Sequence, residues 1–259
     1  MSTQPIGIFD SGVGGTSIWK ELHSLLPFEN TIYLADSKHA PYGPKGRDRI
    51  IELCLKNTEY LLSQNCKLII VACNTATTNA IKVLREHYKV PFIGIEPAIK
   101  PAALNTKTNA IGILATKGTL SSELFHKTSS TFASNINVIE QIGEGIVELI
   151  ESGKLNSEEM EALLKIYLKP MLVAEIDYLV LGCTHYPYLI PTLNNILPKN
   201  VKIIDSGEAV AKQTKAILSK NNLLNLSKIK SENVFYSNGN IKILKQLIET
   251  KATVHFLDF

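Results

Sequence analysis

Two stretches of the chain share one pattern, and that repetition constrains the fold more than any other feature. Residues 67–78 read K-L-I-I-V-A-C-N-T-A-T-T, and residues 177–188 read D-Y-L-V-L-G-C-T-H-Y-P-Y. Each is an apolar run closed by a small residue and a cysteine, followed by small polar residues that can open a helix. Continuous apolar runs of this length suit strands covered on both faces, as in parallel sheets. Cys73 and Cys183 stand 110 residues apart, so each half of the chain carries one copy. Two like-placed thiols from two like-built halves imply one site with a thiol on either side.

At 259 residues, 45% hydrophobic and 20% charged, the chain can build one large α/β domain or two smaller ones. A net charge of +3 with no dense basic run gives no case for a nucleic-acid partner. There is no basic-then-apolar leader and no apolar run of about 18 residues, so a cytoplasmic protein without a membrane partner is expected. The four cysteines, Cys54, Cys66, Cys73 and Cys183, form no C-x-x-C pair and are expected to stay thiols in a reducing compartment. Arg47, Arg49 and Arg85 are the only arginines. A substrate carboxylate is therefore expected to rest on backbone N–H groups and hydroxyls rather than on an arginine fork.

In chain order, a strand over 4–10 ends at Asp10 and runs into S-G-V-G-G-T. Gly12, Gly14 and Gly15 permit positive φ and close approach, with Thr16 placed to cap a helix. Neither a dinucleotide fingerprint nor a phosphate loop fits, because position 17 is Ser17 and no G-K-[ST] follows. The loop reads as an anion cradle with Asp10 at its mouth. A second strand, 31–36, is followed by a Pro- and Gly-rich loop in which Pro41, Tyr42 and Gly43 are candidates for a substrate wall. His39 in that loop reads as a solvated side chain. Helix 46–64 carries Cys54 on its apolar face, and Cys66 precedes the third strand, so both read as core thiols.

Cys73 closes the third strand, with Asn74 and Thr75 as caps of the next helix. A cysteine there meets partial positive charge that favours thiolate. The strand pattern restarts at 109–115, followed by Thr116, which puts a domain boundary near Pro97. Residues 140–153 read as helical, with Glu148 and Glu151 on a solvated acidic face, and a second amphipathic helix covers 155–174. After Cys183 come Thr184 and His185, the latter close enough to share a proton with the thiol. Cys73, Cys183 and His185 match no zinc spacing, so no metal is expected. Strands at 201–204, 233–237 and 253–257 and helices from 207 to about 220 and over 240–250 complete an α/β pattern. D-S-G at 205–207 repeats D-S-G at 10–12.

Inverting a stereocentre beside a carboxylate requires proton removal on one face and delivery on the other. Two groups with exchanging protonation can do this, and thiols, with an unperturbed pKa of about 8.5, reach both states near neutrality. The weakly acidic α-proton also demands preorganised donors and exclusion of water.

D-S-G-V-G-G at 10–15, P-Y-G at 41–43, A-C-N-T at 72–75 and G-C-T-H-Y-P at 182–187 resemble the glutamate racemases of the aspartate/glutamate racemase superfamily. The resemblance covers essentially the whole chain. It implies two pseudo-symmetric α/β domains, each a mostly parallel sheet flanked by helices, with the active site in the cleft between them. One lobe would comprise 1–97 plus 207–259, the other 98–206. It further implies a cofactor-independent enzyme that supplies D-glutamate for peptidoglycan, with Cys73 and Cys183 as the acid/base pair. By the same match Cys73 would serve D-glutamate and Cys183 L-glutamate. Asp10, Ser11, Tyr42, Gly43, Asn74, Thr75, Thr184 and His185 would bind substrate, with Glu151 and Thr116 as auxiliary groups. At Glu151 the chain departs from the family pattern, with V-E-L-I-E in place of the frequent V-P-L-V-E. The implied partner is glutamate, with a homodimer as the candidate assembly. Rival readings are another two-cysteine racemase such as one for aspartate, a pyridoxal-phosphate racemase, and a non-catalytic amino-acid-binding module.

Overall fold

The apolar runs become the central strands of two parallel sheets in a computed structural model that describes residues 2–227, 229–248 and 252–259. The first part of the chain gives β1 (Ile6–Asp10), α1 (Thr16–Leu25), β2 (Thr31–Ala35), α2 (Arg47–Ser63), β3 (Leu68–Val71), α3 (Asn74–His87), β4 (Phe92–Gly94) and α4 (Ile99–Asn105). The middle gives β5 (Ala110–Ala115), α5 (Lys117–Leu120), α6 (Glu123–Phe132), β6 (Asn137–Ile142), α7 (Ile146–Glu151), α8 (Glu158–Val173), β7 (Tyr178–Gly182), α9 (Ile190–Ile196) and β8 (Lys202–Ile204). The chain then adds α10 (Gly207–Lys220), β9 (Asn233–Ser237), α11 (Ile241–Ile248) and β10 (Thr253–Phe256). The helix expected over 240–250 thus appears as α11, and positions 249 and 250 lie outside the described residues.

The first sheet runs β10-β9-β2-β1-β3-β4 and the second β6-β5-β7-β8, every pair parallel. Within the larger sheet, β2-β1-β3-β4 has the same order as β6-β5-β7-β8. The duplicated strands β3 and β7 therefore occupy equivalent positions, and so do β1 and β5. Their burial explains their composition: β1, β3 and β5 are buried at every residue. Parallel strands covered by helices on both faces can carry no polar alternation. Helix α10 packs along α1, which places the returning C-terminal segment on the first sheet's side.

The continuous helix expected over 140–153 is not formed. Residues 137–142 instead make β6, an edge strand on β5 with every residue exposed or half-exposed. Gly143 and Gly145 then break the run, Gly145 in the left-handed region at φ 80°, and the helix is confined to α7. Thr16 does not cap α1 either: it is the first helical residue, and its hydroxyl bonds to the Val13 carbonyl.

A buried ion pair ties the N-terminal residues and the segment after α10 to the first sheet. Lys67 Nζ meets Glu29 Oε2 at 2.6 Å with both side chains essentially inaccessible, and also donates to the Ser2 carbonyl. The second Glu29 oxygen accepts the Asn225 N–H. Lys67→Met leaves Glu29 buried and uncompensated, and is expected to lower the unfolding free energy by about 3–5 kcal/mol in urea titration. A loss below about 1 kcal/mol, the value of a solvated pair, would contradict this reading.

Candidate active site

The carboxyl ends of the two sheets face each other, the position where open parallel sheets place their functional loops. β1 ends on Asp10, β3 leads through Ala72 to Cys73, and β7 runs directly into Cys183. The two cysteines line one enclosed cavity. Ser11, Tyr42, Gly43, Asn74 and Thr75 join them from one side, and Thr116, Thr184 and His185 from the other. The space open to the centre of a water molecule is about 10 Å³, room for roughly one water. A space of that size does not hold an amino acid.

Cys73 is itself the N-cap of α3, its Sγ accepting the Ala76 N–H at 3.4 Å. Asn74 and Thr75, expected as caps, are the first helical residues, which frees their side chains for the cavity. Asn74 is buried with neither amide atom hydrogen-bonded. Such a group costs on the order of 1–3 kcal/mol until a polar partner arrives, and Asn74 lines the cavity. The helix terminus favours a thiolate at Cys73, yet burial, and after it the Asp10 carboxylate, pushes this thiol well above its ordinary range. Burial thus works against the thiolate that the helix terminus favours. Sγ–H instead points to Ser11 Oγ at 3.6 Å. Asp10 accepts the Gly15 N–H at 2.8 Å and lies 3.5 Å from the hydroxyls of Ser11 and Thr184. Burial raises its carboxyl, against the opposing pull of His185.

On the other side, Cys183 Sγ lies 3.7 Å from His185 Nδ1, and His185 Nε2 lies 2.7 Å from Glu151 Oε1. The Gly14 N–H also approaches Nε2, at 3.2 Å. One nitrogen cannot accept from an amide and donate to a carboxylate together, and the shorter, charge-assisted contact puts the proton on Nε2. Burial by itself would lower the imidazole, but its bonds to Cys183 and Glu151 outweigh burial and hold His185 well above its ordinary value. Nδ1 can thus exchange a proton with the Cys183 sulfur.

Glu151 corrects the expectation of a solvated acidic face. Glu148 is exposed, whereas Glu151 turns inward, accepting from the Val13 N–H at 2.6 Å and the Ser37 hydroxyl at 2.9 Å. The glycine loop follows from this. Its three glycines stay out of the left-handed region, so positive φ is not their purpose. A Cβ on Gly12 would sit 1.9 Å from Glu151 Oε1, and one on Gly14 2.2 Å from His185 Nδ1. The loop is stripped of side chains so that these two groups can reach its backbone, and the anions it cradles are the chain's own Asp10 and Glu151. His39 is not solvated either, its Nδ1 lying 2.7 Å from Asp36 Oδ1. Asp36 and Ser37 were not singled out from sequence, although the A-D at the end of β2 echoes the F-D at the end of β1.

The profile of the Asp/Glu/Hydantoin racemase family matches residues 13–214. A glutamate racemase of Ectopseudomonas mendocina is 44% identical over 98% of this chain and 98% of its own length. Among solved structures, a glutamate racemase isoform of Bacillus anthracis superposes with a TM-score of 0.89 at 28% identity, covering 100% of this chain and 98% of that one. The glutamate racemase of Francisella tularensis, solved with D-glutamate, gives a TM-score of 0.86 at 31% identity over 100% and 98%.

A raised thiol is protonated below its pKa and becomes nucleophilic only as the pH climbs through it. Alkylation of Cys73 by iodoacetamide, followed by peptide mass spectrometry, is therefore expected to keep accelerating above about pH 9. A rate that levels off below about pH 8 would contradict a raised thiol.

Proposed function

The chain belongs to the Asp/Glu/Hydantoin racemase family, and from that premise we propose that it interconverts L- and D-glutamate by a two-thiol, cofactor-independent mechanism. The observation that carries this reading is the convergence of Cys73 and Cys183, from two equivalent strands, on one closed cavity. In each direction one sulfur removes the α-proton as thiolate while the other, as thiol, delivers a proton to the opposite face, and the roles then exchange. Cys183 serves the L enantiomer and Cys73 the D enantiomer, an assignment that follows the family resemblance.

Each sulfur has its own proton environment. Cys73 has Ser11 Oγ and the Ala76 N–H, with Asp10 nearby. Cys183 has the His185–Glu151 pair, with Nδ1 as a station for its proton. The unpartnered Asn74 amide and the hydroxyls of Ser11, Thr75, Thr116 and Thr184 supply donors for the substrate carboxylates, so no arginine is required. Tyr42 and Gly43 wall the same space. Closure to a volume of one water would exclude solvent from the developing carbanion.

Glutamate is favoured over aspartate by the names of the relatives above and by P-Y-G together with G-C-T-H-Y-P. The product would feed peptidoglycan synthesis, and a mechanism resting on free thiols suits the reducing cytoplasm. No helix among the described residues is long and apolar enough to cross a membrane. The division into lobes 1–97 plus 207–259 and 98–206 belongs to the same proposal. It is supported by strands up to Gly94 and from Asn233 sharing one sheet while those from Ala110 to Ile204 share the other.

Racemisation followed by chiral chromatography, without added cofactor, tests the reading. Wild type is expected to turn over glutamate faster than aspartate, and Cys73→Ser and Cys183→Ser each to lose about 10²–10⁴-fold. Glutamate binding without turnover would favour the binding module. Turnover surviving both substitutions would remove the thiols from the mechanism.

A further inference from the structure

Tyr42 walls the cavity, but its hydroxyl is already committed elsewhere. It donates to Asp36 Oδ2, a residue that does not line the cavity. Burial, with the neighbouring Cys54 and Asp36 after it, raises this phenol far above its usual range, so it stays a neutral donor. The phenolic oxygen in turn lies 3.3 Å from the Asn57 amide nitrogen, which donates to it. What Tyr42 presents to a ligand is its ring and the backbone leading to Gly43.

Asp36 is 1% exposed and stands among donors. Its Oδ1 accepts from the Asn238 amide at 2.6 Å and faces His39 Nδ1 at 2.7 Å, while its backbone N–H bonds to the Asp10 carbonyl at 3.0 Å. Asn238 follows β9 and belongs to the segment that returns to the first sheet. Its side-chain amide oxygen accepts the Lys38 N–H at 2.9 Å, closing a ring around the turn at 36–39. A buried carboxylate satisfied by this many donors is rigid, and removing it strands every one of them.

We propose that Asp36 is a positioning residue of this site: clamped by Asn238 and His39, its carboxylate holds the Tyr42 hydroxyl and so sets the loop that brings Tyr42 and Gly43 against the substrate. This inference rests on the glutamate racemase reading above. It makes the C-terminal segment part of the substrate wall through Asn238, although that segment contributes no residue to the cavity lining.

The proposal predicts an effect on substrate affinity rather than on proton transfer. Steady-state racemisation would be measured in both directions for the full chain with Asp36→Asn, Tyr42→Phe and the pair combined. Each single substitution is expected to raise KM for both enantiomers by roughly tenfold, the value of one charge-assisted hydrogen bond, with kcat changed by less than about threefold. Because both act through one contact, the double variant should be no worse than the worse single one. Multiplying effects, a KM for Asp36→Asn within about twofold of wild type, or a fall in kcat at unchanged KM would overturn the proposal. If Asp36→Asn does not fold, Asn238→Ala withdraws one donor and leaves the carboxylate. A smaller rise in KM in both directions is then expected, and an unchanged KM overturns the proposal. Failure of wild type to turn over glutamate would instead overturn the functional reading.

Discussion

The Glu151 carboxylate is the point on which the site's geometry depends. It sits on the last residue of α7 and accepts from the Val13 amide, from Ser37 at the end of β2 and from His185 beside Cys183. Three parts of the chain that share no local structure are thereby held together at one side chain. Charge-assisted bonds of this kind are the stronger ones and are directional. The glycines of the loop after β1 exist to permit the contact, since a Cβ on Gly12 or Gly14 would occupy the space that Glu151 and His185 need. Further hydroxyl bonds cross the same junction, from Ser17 to the Thr184 carbonyl and between Thr75 and Thr116.

Duplication explains the frame, and divergence explains the chemistry. Equivalent strands in two sheets of the same order deliver Cys73 and Cys183 from opposite directions. Their surroundings differ. Cys73 caps a helix beside a carboxyl, and burial raises its thiol, whereas Cys183 is followed by a histidine that links it to a carboxylate. Racemisation in both directions needs one loaded and one empty sulfur at the start of each turnover, with the loaded sulfur different for each enantiomer.

The thiols, the strands behind them and the α/β class were legible because burial on both faces leaves a continuous apolar run, and such runs are hard to mistake. The edge strand β6 was not, because exposed and half-exposed residues such as Glu140 and Gln141 carry no strand periodicity and lie close to a true helix. The residue pattern masked Glu151 in the same way, and only the family resemblance named it as an auxiliary group. On α7 it looks like one of an i,i+3 acidic pair with Glu148, and only the approach of a loop 138 residues away distinguishes them. The glycine loop was recognised as a place of close approach, but what approached it was a side chain from the other sheet. His39 likewise looked solvated because its partner, Asp36, was unremarkable as a strand-end acid. Long-range polar pairs leave no periodic trace in sequence, whereas strands and caps do.

The measurement that bears most directly on a two-thiol site is the partition of solvent deuterium in the first few per cent of reaction, run separately from L- and D-glutamate in deuterium oxide. Two sulfurs on opposite faces predict deuterium at Cα of the product enantiomer and none in the recovered substrate, in both directions, because each thiol returns only the proton it removed. Equal labelling of both pools, or a product that keeps its original hydrogen, would mean a single base serving both faces, and the account would fail.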